Sequence, residues 1–202
     1  MLAAPVTTTR LQSALSAGGE AEGPSPIDAF KLARRRFQDA ERIDMSALAA
    51  ELGINRVTLY RWVGSRDQLL VEVIWSLGER TFDKIDADVT ATGSERVVQV
   101  VTGFIDTVLG HRGMRRWLAE EGEQAMRLLT MQDKGFQQRL IARVERLLRD
   151  ETEADRLEVP ADLHEVAYVI VRLIESYIYL DLITGEEPQA GRAEPILRML
   201  LR

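Results

Sequence analysis

Residues 44–67 read DMSALAAELGINRVTLYRWVGSRD, and this stretch decides the fold. Asp44 is placed to cap a helix over Met45–Leu52, with Leu48 and Leu52 turned inward. Gly53 supplies a left-handed stop. Asn55 caps a second helix that runs to about Trp62, and Gly64 ends it. Leu48, Leu52, Ile54 and Leu59 form the greasy side of this pair. Asn55, Arg56, Thr58, Tyr60, Arg61 and Trp62 stand between the apolar positions, and all can touch phosphate or base edges. Two short helices joined by a tight turn, one of them basic and hydroxyl-bearing on its outer side, make a helix-turn-helix for duplex DNA.

Working outward, Ser25-Pro26 opens an earlier helix carrying Ile27, Phe30, Ala33, Arg34 and Phe37 at helical spacing. Its Arg34-Arg35-Arg36 cluster is either a solvated face or a source of one phosphate contact. Ser65 and Gln68 form a capping box for a fourth helix that reaches about Asp88. A linker, Thr90–Gly93, follows. Residues 1–24, rich in Ala, Thr, Ser and Gly, read as a disordered tail. The expected organisation is all-α: a disordered tail 1–24, a three-helix helix-turn-helix DNA-binding head 25–70, and a C-terminal helical bundle 71–202 that binds ligand and dimerises.

Within the bundle, Ser94 is expected to cap a helix with Val97, Val98, Val101, Phe104 and Ile105 inward. Met114–Thr130 reads as two helices interrupted near Gly122, and Asp133 starts a long helix. The stretch Leu163–Thr184 is apolar nearly all round, so it should be buried on more than one face. Paired with the terminal PILRMLLR, residues 195–202, it suggests a four-helix interface between two copies, at about 163–184 and 193–202.

Composition narrows the function. The chain has 202 residues, 46 % of them hydrophobic, no cysteine and a net charge of −6. Disulfides, thiolate metal sites and a cysteine nucleophile are therefore excluded. No apolar run approaches the ~20 residues of a membrane span. The start lacks a secretion signal, so the expected address is the cytoplasm. Charge is divided unevenly: residues 28–67 carry +2 and residues 68–202 carry −7. A basic head would meet a polyanion and an acidic body would stay away from it. Catalysis finds little support. HEVAY at 164–168 lacks the second histidine of a zinc pair. His111 sits where a helix C-terminus favours a cation. No phosphate loop, nucleophile elbow or dinucleotide fingerprint occurs, and no cofactor is expected.

The order SALAAELGINRVTLYRWVGSRDQLL, residues 46–70, resembles the DNA-binding signature of the TetR family of bacterial repressors. The match covers about residues 25–75. The segment HRGMRRWLAEEGEQAMRLLT, residues 111–130, followed by a long helix, resembles the C-terminal domain of QsdR-type regulators, tied to breakdown of quorum-sensing lactones. The resemblance implies a homodimer on a palindromic operator, a recognition helix over Asn55–Trp62, and a small molecule in the larger domain that changes the spacing of the heads. It also implies phosphate contacts for Thr58 and Tyr60. Departures are clear: the family's usual glycine is Val57 here, and its usual His-Phe is Trp62-Val63.

Side by side, the roles are these. Arg56 either reads guanine O6 and N7 or clamps a phosphate. Val57 either touches a thymine methyl or packs. Arg61 binds phosphate or pairs with an acid, and Trp62 meets the DNA backbone or packs under the next helix. Arg66 joins its charge to a helix N-terminus against phosphate, and Ser46 reaches phosphate from the preceding helix. Phe104, Trp117, Phe136, Leu140, Tyr168, Leu173 and Tyr177 either line an apolar effector cavity or are plain core. Glu175 either faces that cavity or pairs with Arg172 at i, i+3. The main expectation is a repressor released by a small apolar effector, a lactone or acyl compound. The alternatives are a helical small-molecule binder or enzyme without DNA binding, and an activator.

Overall fold

A computed structural model of the chain describes residues 9–17, 23–131 and 135–202. The described residues form α-helices and one 3-10 turn, with no strand among them. They divide into two compact units, the first ending at Ser76 and the second running Leu77–Arg202. The division falls inside the helix Arg66–Asp88.

The first unit holds α1 (Arg10–Ala17), α2 (Pro26–Gln38), α3 (Met45–Glu51), α4 (Arg56–Val63) and the start of α5 (Arg66–Asp88). Ser25 caps α2 in a reciprocal box with Asp28. Ala29, Phe30, Ala33 and Phe37 are its buried face. Asp44 Oδ1 accepts from the Ser46 and Ala47 amides at 2.8 Å each, starting α3. The turn closes at Gly53, φ +66°, and the Ile54 amide donates back to the Ala49 carbonyl at 3.0 Å. Ser65 and Gln68 exchange the expected capping bonds at 2.8 and 3.1 Å.

One expectation fails here. The described part of residues 1–24 includes helix α1, with Leu11 fully buried. A Thr9–Gln12 box starts this helix, so residues 9–17 are not a disordered tail. Residues 1–8 and 18–22 lie outside the described residues.

In the second unit the remainder of α5 is joined by α6 (Gly93–Gly110), α7 (Arg112–Thr130), α8 (Phe136–Glu153), α9 (Leu163–Ile178), α10 (Leu180–Thr184) and α11 (Glu194–Leu200). The pair α8 and α9 makes the most extensive helix–helix packing. Phe82 of α5 stacks on Phe104 of α6 with centroids 4.0 Å apart. The expected interruption of α7 is present: Glu121 leaves helical geometry at φ −135°, ψ 34°. Two expected boundaries move. The cap of α6 is Thr92, not Ser94, because Gly93 takes φ +64° and spends its amide on Glu151 at 2.6 Å. The long helix expected over Leu163–Thr184 breaks at Tyr179, which buries its ring there. Asp133, the expected start of α8, lies outside the described residues.

Glu151 is the ionic centre of this unit. It has no exposed surface, yet it is fully partnered. Arg156 donates to it from Nε and Nη2 at 2.7 and 2.9 Å, and Arg96 donates from Nη1. The hydrogen bonds from Arg156, with those of Gly93 and Arg96, hold its carboxyl down at about 2 despite burial. Arg96 continues to Asp86 at 2.6 Å, and Arg143 reaches Asp86 at 3.1 Å while lying over Phe82. The far end of α5 is thereby tied to α6 and α8. Gly93 fits the junction for a steric reason too, since a Cβ there would sit 2.5 Å from the Arg156 carbonyl oxygen.

A carboxyl depressed in the folded state contributes stability above its unfolded value and loses it in acid. The wild type should therefore be more stable than Glu151→Gln at neutral pH. That advantage should shrink as pH falls from the ordinary 4.5 towards about 2. Urea midpoints of both proteins across this range test the point; a gap that ignores pH contradicts it.

Candidate nucleic-acid interface

The outward face of α4 is built from its two ends. At its start, Asn55 Oδ1 accepts from the Thr58 amide at 2.7 Å. At its end, Gly64 takes φ +73° and its amide donates to the Tyr60 carbonyl at 2.9 Å. Between them Leu59 and Val63 are buried, which fixes the rotation of the helix about its axis. A 3.6-residue period then turns Arg56, Val57, Tyr60 and Arg61 outward. All four are exposed. Val57 is 69 % exposed and Tyr60 41 %, so Val57 does not pack within the described chain. The Arg56 guanidinium lies 5.9 Å from the Tyr60 ring centroid, a loose cation–π contact that keeps both side chains on one patch.

The other predicted contacts take different positions. Thr58 and Trp62 are half-buried at the edges of α4. Ser46 is exposed at the start of α3, with its amide spent on the Asp44 cap. Asp44 itself has its carboxyl lowered, first by the Ala47 amide and further by the nearby positive charge of Arg56 and Arg42. Arg66 is half-buried, and its Nε donates to the Ile43 carbonyl at 2.9 Å, so part of its guanidinium braces the loop before α3. Arg36 of the basic cluster pairs with Glu51, and Arg34 lies over Phe30.

In the second unit, Phe104, Trp117, Phe136 and Leu140 are buried, and Leu173 and Tyr177 are half-buried. Tyr168 does not join them. It is 44 % exposed, because its neighbours Val166, Ala167, Ile170 and Val171 take the inward positions of α9, and Arg172 covers its ring at 5.1 Å. Glu175 is buried and does pair with Arg172, at 2.9 Å. It also accepts from Gln137 Nε2, which reaches the Leu129 carbonyl at 2.6 Å; Arg172 in turn donates to Gln137 Oε1. Burial pushes the Glu175 carboxyl up, against the pull of Gln137 and Arg172. Gln137 escaped the sequence reading. The available signal was its place inside the apolar stripe Phe136, Leu140, Ile141, Val144.

His111 also takes another role. It ends α6 and caps α7, its Nδ1 accepting from the Met114 amide at 3.1 Å. An accepting Nδ1 is unprotonated, and burial lowers the ring's affinity for a proton, so the expected cation at a helix C-terminus is corrected to a neutral N-cap. His164 contacts Glu145 at 3.0 Å on the surface. Among the described residues no group of three or more His, Asp or Glu has metal-holding geometry.

Residues 92–202 match the family described as tetracyclin repressor-like, C-terminal domain. The chain belongs to the TetR family. Its N-terminal unit carries the helix-turn-helix of that family of transcription regulators, and its C-terminal unit is the family's own. The HTH-type transcriptional regulator BetI of Agrobacterium fabrum is 25 % identical over 177 residues, 78 % of this chain and 86 % of that protein. The transcriptional repressor QsdR of R. erythropolis, from the same family, superposes with a TM-score of 0.80 at 26 % identity, covering 87 % of this chain and 93 % of that one. The fatty acid degradation regulator FadR from Bacillus halodurans shares the fold at 16 % identity and a TM-score of 0.54, covering 90 % and 97 % of the two chains.

A depressed histidine contributes stability that is present above its unfolded value of 6.5 and lost as pH falls below it. The thermal midpoint of the wild type should therefore drop between pH 7 and pH 5 by more than that of His111→Asn, which keeps a capping oxygen and cannot titrate. Differential scanning calorimetry at the two pH values checks this; equal drops would remove His111 from the cap.

Proposed function

We propose that the chain is a ligand-responsive repressor that binds a palindromic operator as a homodimer in the cytoplasm and is released by a small apolar effector. The observation that carries the reading is the outer face of α4. An exposed valine between an arginine and a tyrosine is costly to leave in water and suited to a thymine methyl. Arg56 beside it has the reach and charge for guanine O6 and N7 or for a phosphate. Tyr60, Arg61, Thr58 and Ser46 would hold the flanking backbone, which positions the helix without reading sequence. Arg66 would add charge at the start of α5, within the limits set by its bond to Ile43. The likeness to QsdR, a repressor, supports repression over activation.

Pairing of two copies is supported by exposed apolar side chains in the second unit. Tyr168 and Val169 on α9, Leu182 and Ile183 on α10, and Ile196 and Met199 on α11 are all exposed. Large apolar side chains left exposed on these elements are suited to an association surface. The two-fold would then present two copies of α4 at a spacing set by the bodies.

For the effector, the second unit offers apolar side chains with three linked polar ones among them. Leu140, Phe136, Leu173 and Tyr177 are candidates for the apolar lining, and Gln137, Arg172 and Glu175 for the polar end. A lactone or acyl compound would suit this set, its carbonyl accepting from Arg172. Release requires the effector to favour the misfitting head spacing by a coupling of ~1–3 kcal/mol. The relatives BetI and QsdR are transcription regulators, which favours a binding function over a catalytic one.

Arg56→Ala should weaken selective binding to DNA from upstream of the chain's own gene by about 5- to 150-fold, the equivalent of ~1–3 kcal/mol, while random-sequence binding changes far less. Mobility shifts on both duplexes at one salt concentration measure this. Equal losses on the two would move Arg56 from base reading to phosphate.

A further inference from the structure

Helix α1 lies outside the three-helix plan read from residues 25–70, and it is attached to the part of the head that matters most. Its Thr9 and Gln12 form a reciprocal cap: the Thr9 amide donates to Gln12 Oε1 at 2.8 Å, and the Gln12 amide to Thr9 Oγ1 at 3.2 Å. Eight residues are too few for a stable helix in water, so packing must supply the rest. That packing is against α2 and α4. Leu11 is fully buried. Gln12 Nε2 donates to the buried carboxylate of Glu72 on α5 at 3.2 Å. Thr9 lies against Gly64, the residue that ends α4: a Cβ built there would stand 3.1 Å from Thr9 Cγ2.

We infer that α1 is a fourth helix of the DNA-binding head and a positioning element for α4. With Leu11 buried, α1 packs on α2 and α4, and Thr9 stands beside Gly64 at the C-terminal end of α4. The three contacts reach α2, α4 and α5 together, so α1 restrains both the rotation of α4 and the angle at which it leaves Gly64. The buried Leu11 is the main apolar anchor of this eight-residue helix, because the side away from it is in water: Ser13 and Ser16 are exposed. The consequence for DNA rests on the function proposed above; the consequence for α4 itself does not.

The test uses the full chain with three variants: Leu11→Ala, the shape-retaining Leu11→Met, and the surface control Leu15→Ala. Amide exchange is followed by mass spectrometry on peptides covering α4 and, as an internal reference, α8 and α9. A large-to-small change at a buried leucine should raise exchange in α4 by roughly 30-fold or more, with α8 and α9 unchanged. Leu11→Met should restore most of the protection, and Leu15→Ala should resemble wild type. Under conditions where circular dichroism shows Leu11→Ala still helical, its selective affinity for DNA upstream of its own gene should fall at least about tenfold, and Leu11→Met should recover it. Unchanged exchange in α4 overturns the inference. Faster exchange with unaltered selective affinity overturns the positioning role. Should wild type form no selective complex at all, the proposed function fails, while the exchange arm still decides whether α1 holds α4.

Discussion

The seating of α4 is the constraint on which the rest depends. Leu59 and Val63 sink into the head and leave no choice about which side chains face out. Asn55 at one end and Gly64 at the other set where the helix begins and stops. Gly53 brings α3 and α4 together in a turn with φ +66°, a region that costs other residues ~1–2 kcal/mol. Once these are fixed, Arg56, Val57, Tyr60 and Arg61 follow from the helical period alone. The face proposed to meet DNA is thus a by-product of how the core is filled.

The second unit works on different physics. Its core is apolar, aliphatic and aromatic together, but its framework is held by charge placed where water is scarce. A buried carboxylate is tolerable only with every oxygen partnered, and Glu151 meets that condition through Arg156, Arg96 and the Gly93 amide. Glu175 is less completely compensated. Burial raises its affinity for a proton against the pull of Gln137 and Arg172. The two carboxylates therefore divide the labour of the unit: one fixes the end of α5 against α6 and α8, and the other sits among the side chains proposed for the effector.

Much of the head was legible because local rules agree there. Asp44, Gly53, Asn55, Gly64 and the Ser65–Gln68 box each have short-range signatures, and each stands where the signature puts it. The kink near Gly122 was readable for the same reason. The misreadings share a cause as well. Helix α1 carries a T-x-x-Q cap, but its composition suggests a tail, and only the burial of Leu11 by distant elements makes it a helix. The outward turn of Tyr168 depends on which face of an almost wholly apolar helix the neighbours choose, and such a helix gives no sign of that. His111 could be a cation at one helix's end or a cap at the next one's start, and its burial decides for the cap. Gln137 needed the knowledge that a buried glutamate lies 38 residues further on.

The central claim is that two copies of α4, held by a two-fold assembly, meet one duplex. Fluorescence anisotropy with a labelled duplex from upstream of the chain's own gene, titrated at stoichiometric concentration and repeated across salt, addresses it directly. The account predicts saturation at two chains per site, or a multiple of two, and an affinity that falls steeply as salt rises while staying above that for random sequence. Saturation at one chain, or affinities for the two duplexes that coincide at every salt concentration, would contradict it.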